Sequence, residues 1–216
     1  MQRHFLDPLY PLTHVPNLPG ASHLTLAECF LRGGCRFFQV RAKEASDREL
    51  HRQLLSIAQL CRDHNARFVV NDRVDHALFA SASGVHLGQD DLPVAAARQL
   101  LGGEAIIGLS THSEEQFLQA LDQDIDYVAL GPIFESGTKP GQNKPVGCRL
   151  LARLAAMTTL PVVAIGGITL KNVSEVWKAG ATSAAVISDI VNSPSPAQRV
   201  MQYLELADRI KRERAD

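Results

Sequence analysis

A chain of 216 residues with 45 % hydrophobic and 21 % charged side chains has ordinary globular composition, which excludes a disordered or low-complexity polymer. Its formal net charge of -1 supplies no global attraction to nucleic acid or to an anionic bilayer, so any anion binding has to be built locally from lysines and arginines. Cys29, Cys35, Cys61 and Cys148 show no Cys-x-x-Cys spacing and have mostly apolar neighbours, which reads as reduced thiols rather than a zinc site or a disulfide framework.

Neither a basic-then-apolar leader nor an apolar run near the roughly 18 residues needed to span a bilayer is visible, and a cytoplasmic location is expected. No linker or shift of composition divides residues 1–216, so one domain is expected.

Taken in order, eight short β-rich runs recur: Leu9 to Thr13, Phe37 to Arg41, Phe68 to Asn71, Val85 to Leu87, Ala105 to Leu109, Tyr127 to Leu130, Val162 to Ile165 and Ala184 to Ile187. The segments between them carry helical periodicity, as in Leu50, Leu54, Ile57, Ala58 and Cys61. Strand alternating with helix implies parallel strands and right-handed crossovers, and eight units at about 27 residues each predict a compact (β/α)8 TIM barrel of the α/β class. An open doubly wound sheet is disfavoured by the lack of a Gly-x-Gly-x-x-Gly turn after the first run. The mixed-sign run Arg209 to Arg214 reads as the solvated end of a last helix.

Barrel enzymes work at the C-terminal ends of their strands, so polar residues should gather just after each apolar run, and they do. After the second run, Gln39, Arg41 and Lys43 fall at alternate positions and share a face while the chain stays extended; the two cations suit a diphosphate. After the third and fourth runs come Asn71-Asp72-Arg73 and Gly88-Gln89-Asp90-Asp91. Adjacent strands would let the Asp72 and Asp91 carboxylates meet and hold Mg2+ beside that diphosphate. Each aspartate alone could instead cap a helix starting at Arg73 or Leu92.

Ser110 and His112 follow the fifth run without a serine-hydrolase elbow, which points to hydrogen bonding rather than nucleophilic attack, and His86 reads as structural as readily as catalytic. The sixth run empties into Gly131 to Pro140, where Ser136, Thr138 and Lys139 offer two hydroxyls and a cation to an anion. Gly166-Gly167 after the seventh run and Ile187-Ser188 after the eighth stand where barrels often bind a phosphate.

Gln-x-Arg-x-Lys at 39 to 43, Asn-Asp-Arg at 71 to 73, Gly-Val-His-Leu-Gly-Gln-Asp-Asp at 84 to 91 and Gly-Leu-Ser-Thr-His-Ser at 108 to 113 lie in this order along the chain. With Gly-Pro-Ile-Phe and Thr-Lys within 131 to 139, and Ala-Ile-Gly-Gly-Ile at 164 to 168, this set resembles the thiamine phosphate synthases of the thiamine phosphate synthase and thiazole tautomerase superfamily, over nearly the whole chain. The resemblance implies a magnesium-dependent transferase joining hydroxymethylpyrimidine diphosphate to thiazole phosphate, with release of pyrophosphate.

It also implies roles. Gln39, Arg41, Lys43, Asn71 and Lys139 would hold the diphosphate, and Asp72 and Asp91 the magnesium. Ser136, Thr138, Gly167, Ile187 and Ser188 would receive the thiazole phosphate; Ser110 would contact the pyrimidine substrate. Lys139, Ser110 and Arg41 are the expected catalytic contacts. Substrates are small molecules, with neither nucleic acid nor membrane as partner, and a homo-oligomer stays open.

The chain departs from the pattern at Thr13-His14, where an acidic residue often follows the threonine, and at Ala42, which replaces a common glutamate. Glu135-Ser136 replaces Pro-Thr, and Gly141 to Lys144 lengthens the same loop. Two other readings are a thiazole tautomerase working through His112, which would not use Lys43, Asp72 and Asp91, and a phosphate-sensing barrel without turnover.

Overall fold

The computed structural model describes residues 5–15, 21–135 and 144–213. Eight parallel strands pair in chain order and the eighth returns to the first: β1 (Leu9–Thr13), β2 (Phe37–Val40), β3 (Arg67–Asn71), β4 (Gly84–Leu87), β5 (Ile106–Thr111), β6 (Tyr127–Leu130), β7 (Val162–Ile165) and β8 (Ser183–Val186). The result is a closed (β/α)8 barrel, as the alternation predicts. Around it lie α1 (His23–Arg32), α2 (Asp47–Asp63), α3 (Val74–Phe79), α4 (Val94–Leu101), α5 (Glu114–Leu121), α6 (Gly147–Ala155), α7 (Val173–Lys178), α8 (Ser188–Val191) and α9 (Pro196–Glu213).

Local chemistry starts the helices where the sequence is polar. Ser22 and Thr25 form a reciprocal capping box ahead of α1, and the Ser46 and Ser113 hydroxyls accept the Glu49 and Gln116 amides ahead of α2 and α5. On α2 the stripe Leu50, Leu54, Ile57, Ala58 and Cys61 is buried against the barrel, as its spacing requires.

Strands covered on both faces divide their residues between two cores. Phe38, Val70, Val85, Val128 and Ala164 pack outward under the helices, while Tyr10, Leu12, Phe37, Val69, Ile106, Tyr127, Ala129, Val163 and Ala185 fill the interior. Phe5 closes on Phe37 at 5.3 Å between ring centroids, and Tyr10 lies on Phe37 at 5.0 Å. An aromatic plug therefore stops the N-terminal end of the barrel.

Strand ends differ slightly from the sequence-based expectations. β2 stops at Val40 because the Arg41 amide donates to Thr13 Oγ1 (3.1 Å), which takes the chain out of the sheet. β5 runs on to Thr111, since Ser110 and Thr111 pair with Ala129 and Leu130 and the Thr111 hydroxyl donates to the Ala129 carbonyl. All four cysteines are free thiols, and no helix among the described residues is long and apolar enough to cross a membrane.

Candidate active site

Arg41 and Lys43 stand on the segment that leaves β2 at the C-terminal mouth of the barrel. Arg41 Nη1 donates to His14 Nδ1 at 3.1 Å, which fixes that imidazole nitrogen as an acceptor. Burial and the neighbouring guanidinium both pull the His14 pKa down. Beneath them Thr13 Oγ1 pairs with His23 Nδ1 at 2.7 Å, and burial pulls His23 down to about 4. Gln39, the third residue of the alternating set, is different: it is 2 % exposed and its Nε2 donates to Tyr10 Oη inside the barrel. Only the two cations of this set reach the rim.

Lys43 Nζ makes an ion pair with Asp72 Oδ2, linking the β2 and β3 ends. Asp72 has a left-handed backbone (φ 63°), and its amide donates to the His86 carbonyl at 2.8 Å, so the chain turns sharply right after Asn71. Asp91 comes back to accept the Gly88 amide at 2.6 Å. Burial and the facing Asp72 carboxylate push the Asp91 carboxyl above its usual range, with the Gly88 amide and Lys43 opposing them.

Neither aspartate caps a helix, since α3 and α4 begin at Val74 and Val94 behind Arg73 and Pro93. Arg73 turns away to Asp47 and Asp75. Two facing carboxylates stand near one ammonium, which pairs with Asp72 alone, and this donor set fits a hard divalent cation. Magnesium needs only one or two carboxylates when phosphate oxygens complete its shell, and no third His, Cys, Asp or Glu forms a metal-holding group with them among the described residues.

Across the mouth, the turn after β7 lies against the segment leaving β6. Ile133 and Phe134 donate their amides to Ile165 and Gly166, and Asn172 Nδ2 donates to the Gly167 carbonyl. Gly166 (φ 101°) and Gly167 (φ 64°) adopt backbone that L side chains rarely enter; a Cβ on Gly167 would sit 2.3 Å from the Glu135 carbonyl oxygen. Ile187 precedes the short helix α8, whose first residue Ser188 is exposed. Ser136, Thr138 and Lys139 lie outside the described residues.

Inside the barrel a chain of hydrogen bonds escapes the sequence reading. Gln39 Nε2 meets Tyr10 Oη at 2.9 Å, Tyr10 Oη meets Tyr127 Oη at 2.8 Å, and Tyr127 Oη meets His86 Nδ1 at 2.8 Å. His86 Nε2 then meets Ser110 Oγ at 2.8 Å, and Gln89 Nε2 holds the Ser110 carbonyl at 2.6 Å. Burial pulls the His86 pKa down to about 4 and pushes both tyrosines up. Tyr10 and Tyr127 counted as apolar strand members in the sequence; the available signal was their inward register together with Gln39 and His86. His112 is held elsewhere, its Nδ1 on the Gly131 carbonyl at 2.7 Å.

Fold and rim together define the class: a (β/α)8 barrel whose strand ends present cations, facing carboxylates and glycine turns of the kind that handle phosphorylated small molecules. The family model described as thiamine monophosphate synthase matches residues 9–190. The thiamine-phosphate synthase of Methanospirillum hungatei is 41 % identical over 92 % of this chain and 96 % of its own, and that of Chlorobium phaeovibrioides is 47 % identical over 80 % and 83 %. A solved thiamine phosphate pyrophosphorylase from Pyrococcus furiosus superposes with a TM-score of 0.84 at 31 % identity, covering 94 % of this chain and 96 % of that one. The chain belongs to the thiamine monophosphate synthase family.

Proposed function

We propose that this family member catalyses the condensation of hydroxymethylpyrimidine diphosphate with thiazole phosphate to thiamine phosphate and pyrophosphate, with magnesium. The observation that carries the reading is the meeting of Lys43, Asp72 and Asp91 at one side of the barrel mouth, where the two carboxylates leave Asp91 short of positive charge. Bound there, magnesium would neutralise the diphosphate and stabilise it as a leaving group.

Arg41 and Lys43 supply a planar fork and a point charge to the same oxygens, with Asn71 beside them at the end of β3 and Lys139 from the loop after β6. Ser110 faces the pyrimidine. The Gly167 turn, Ile187 and Ser188 receive the thiazole phosphate at the opposite side, joined by Ser136 and Thr138. Loss of pyrophosphate from the benzylic-type carbon leaves a cation that the thiazole nitrogen attacks, so the protein needs no nucleophile; it needs two anion sites that hold the reactants in line.

Purified protein mixed with both substrates and magnesium should release pyrophosphate, with none when any of the three is omitted. Asp72→Ala should lower the rate at least about 100-fold, given the several kcal/mol that such charge stabilisation contributes. Turnover of a thiazole substrate alone, insensitive to Asp72→Ala, would overturn the assignment, as would binding of both substrates without turnover.

A further inference from the structure

The buried chain from Gln39 to Ser110 has a direction. Gln39 Nε2 donates to Tyr10 Oη, while Gln39 Oε1 has no partner among the described residues. The opposite amide orientation would leave an NH2 buried without an acceptor, a worse loss than one unpaired carbonyl oxygen. With Gln39 as donor, the buried Tyr10 proton has no acceptor other than Tyr127 Oη among the described residues, and the Tyr127 proton then has only His86 Nδ1, so satisfying both hydroxyls orders the chain from Tyr10 to His86. The one N–H of the neutral ring is then on Nε2, pointing at Ser110 Oγ.

We propose that His86 is a positioning residue for the reaction: its Nε2–H fills an acceptor side of Ser110 Oγ, so that the serine proton is what the site presents to the pyrimidine ring. The proposal rests on the reading that Ser110 faces the pyrimidine substrate. It makes that contact selective for a ring atom with a free lone pair, and it gives Tyr10, Tyr127 and Gln39 a share in specificity although none of them need touch the ring.

The rest of the interior supports a built device. Most other inward positions are apolar, and an all-apolar filling would avoid burying the four polar side chains of this hydrogen-bonded chain. Space is made for the chain at Gly108, where any Cβ would lie 2.0 Å from Tyr127 Cζ. The Gln89 amide fixes the Ser110 backbone from the other side, so the hydroxyl has a defined place from which to donate.

The test is a double-mutant cycle read in substrate affinity. Tyr127→Phe keeps the ring but breaks the chain; Ser110→Ala removes its end. Binding of the pyrimidine diphosphate is measured by calorimetry with magnesium and without the thiazole partner, and the KM for each substrate by pyrophosphate release. Melting temperatures check folding, and His86→Leu removes the Nε2–H itself should Tyr127→Phe fold poorly.

Tyr127→Phe is expected to weaken pyrimidine diphosphate binding about 10-fold, the size of one lost polar contact, and to leave the KM for thiazole phosphate unchanged. In the Ser110→Ala background it should have no further effect. Fully additive losses, or equal changes in both KM values, would overturn the proposal. Unaltered affinity in Ser110→Ala alone would do so as well, and would place the fault in the Ser110 contact itself rather than in the chain behind it; the Asp72→Ala assay of the overall reaction is independent of that result.

Discussion

Asp91 carries a conflict that the magnesium proposed for it would resolve. Burial and the facing Asp72 carboxylate both work against charge on the Asp91 carboxyl, with Lys43 as partial relief. Asp91→Asn should therefore raise the melting temperature of the metal-free protein, by about 1–2 °C for a partly exposed, screened pair. The same variant should lose the rise in melting temperature that magnesium and pyrophosphate give the native protein, readable by calorimetry without any turnover.

Gly108 is the converse case, a residue whose lack of a side chain is the requirement. Gly108→Ala drives a methyl into the Tyr127 ring and should cost about 1–3 kcal/mol by urea unfolding. Loss of pyrimidine diphosphate affinity should accompany it.

Among the elements, legibility followed periodicity. β1, β6 and β7 fall where the apolar runs place them, because a strand covered on both faces is a short apolar block between polar ends. The end of β2 was not legible, since it is set by a side-chain bond from Thr13 to the Arg41 amide rather than by any local preference. For the same reason Gln39, Arg41 and Lys43 read as one alternating set, whereas the chain turns after Val40 and divides them between the interior and the rim. The meeting of Asp72 and Asp91 was legible from strand order alone. The polar chain behind Ser110 was not, because it joins β1, β2, β4, β5 and β6, and no sequence spacing records which inward side chains meet across a barrel.

For the molecule as a whole, the uncharged histidine under the rim links folding to pH. His23 is buried on Thr13 with a pKa of about 4, while in an unfolded chain it would take up a proton near its ordinary value of about 6.5. A depressed folded pKa means that its contribution is complete above about pH 6.5 and is lost as the pH falls toward 4. Unfolding free energy from urea titrations should fall by about 2 kcal/mol from this residue between pH 7 and pH 5, and a His23→Gln variant should lack that component.

The aromatic plug of Phe5, Tyr10 and Phe37 has a consequence for traffic. A barrel sealed at one end is a cup with a single doorway, so both reactants enter and both products leave through the same rim. Whatever lies deeper must load first and depart last. An excess of the outer partner should then slow the exit of the inner one, and substrate inhibition in the pyrophosphate-release assay is the expected sign of that crowding at the door.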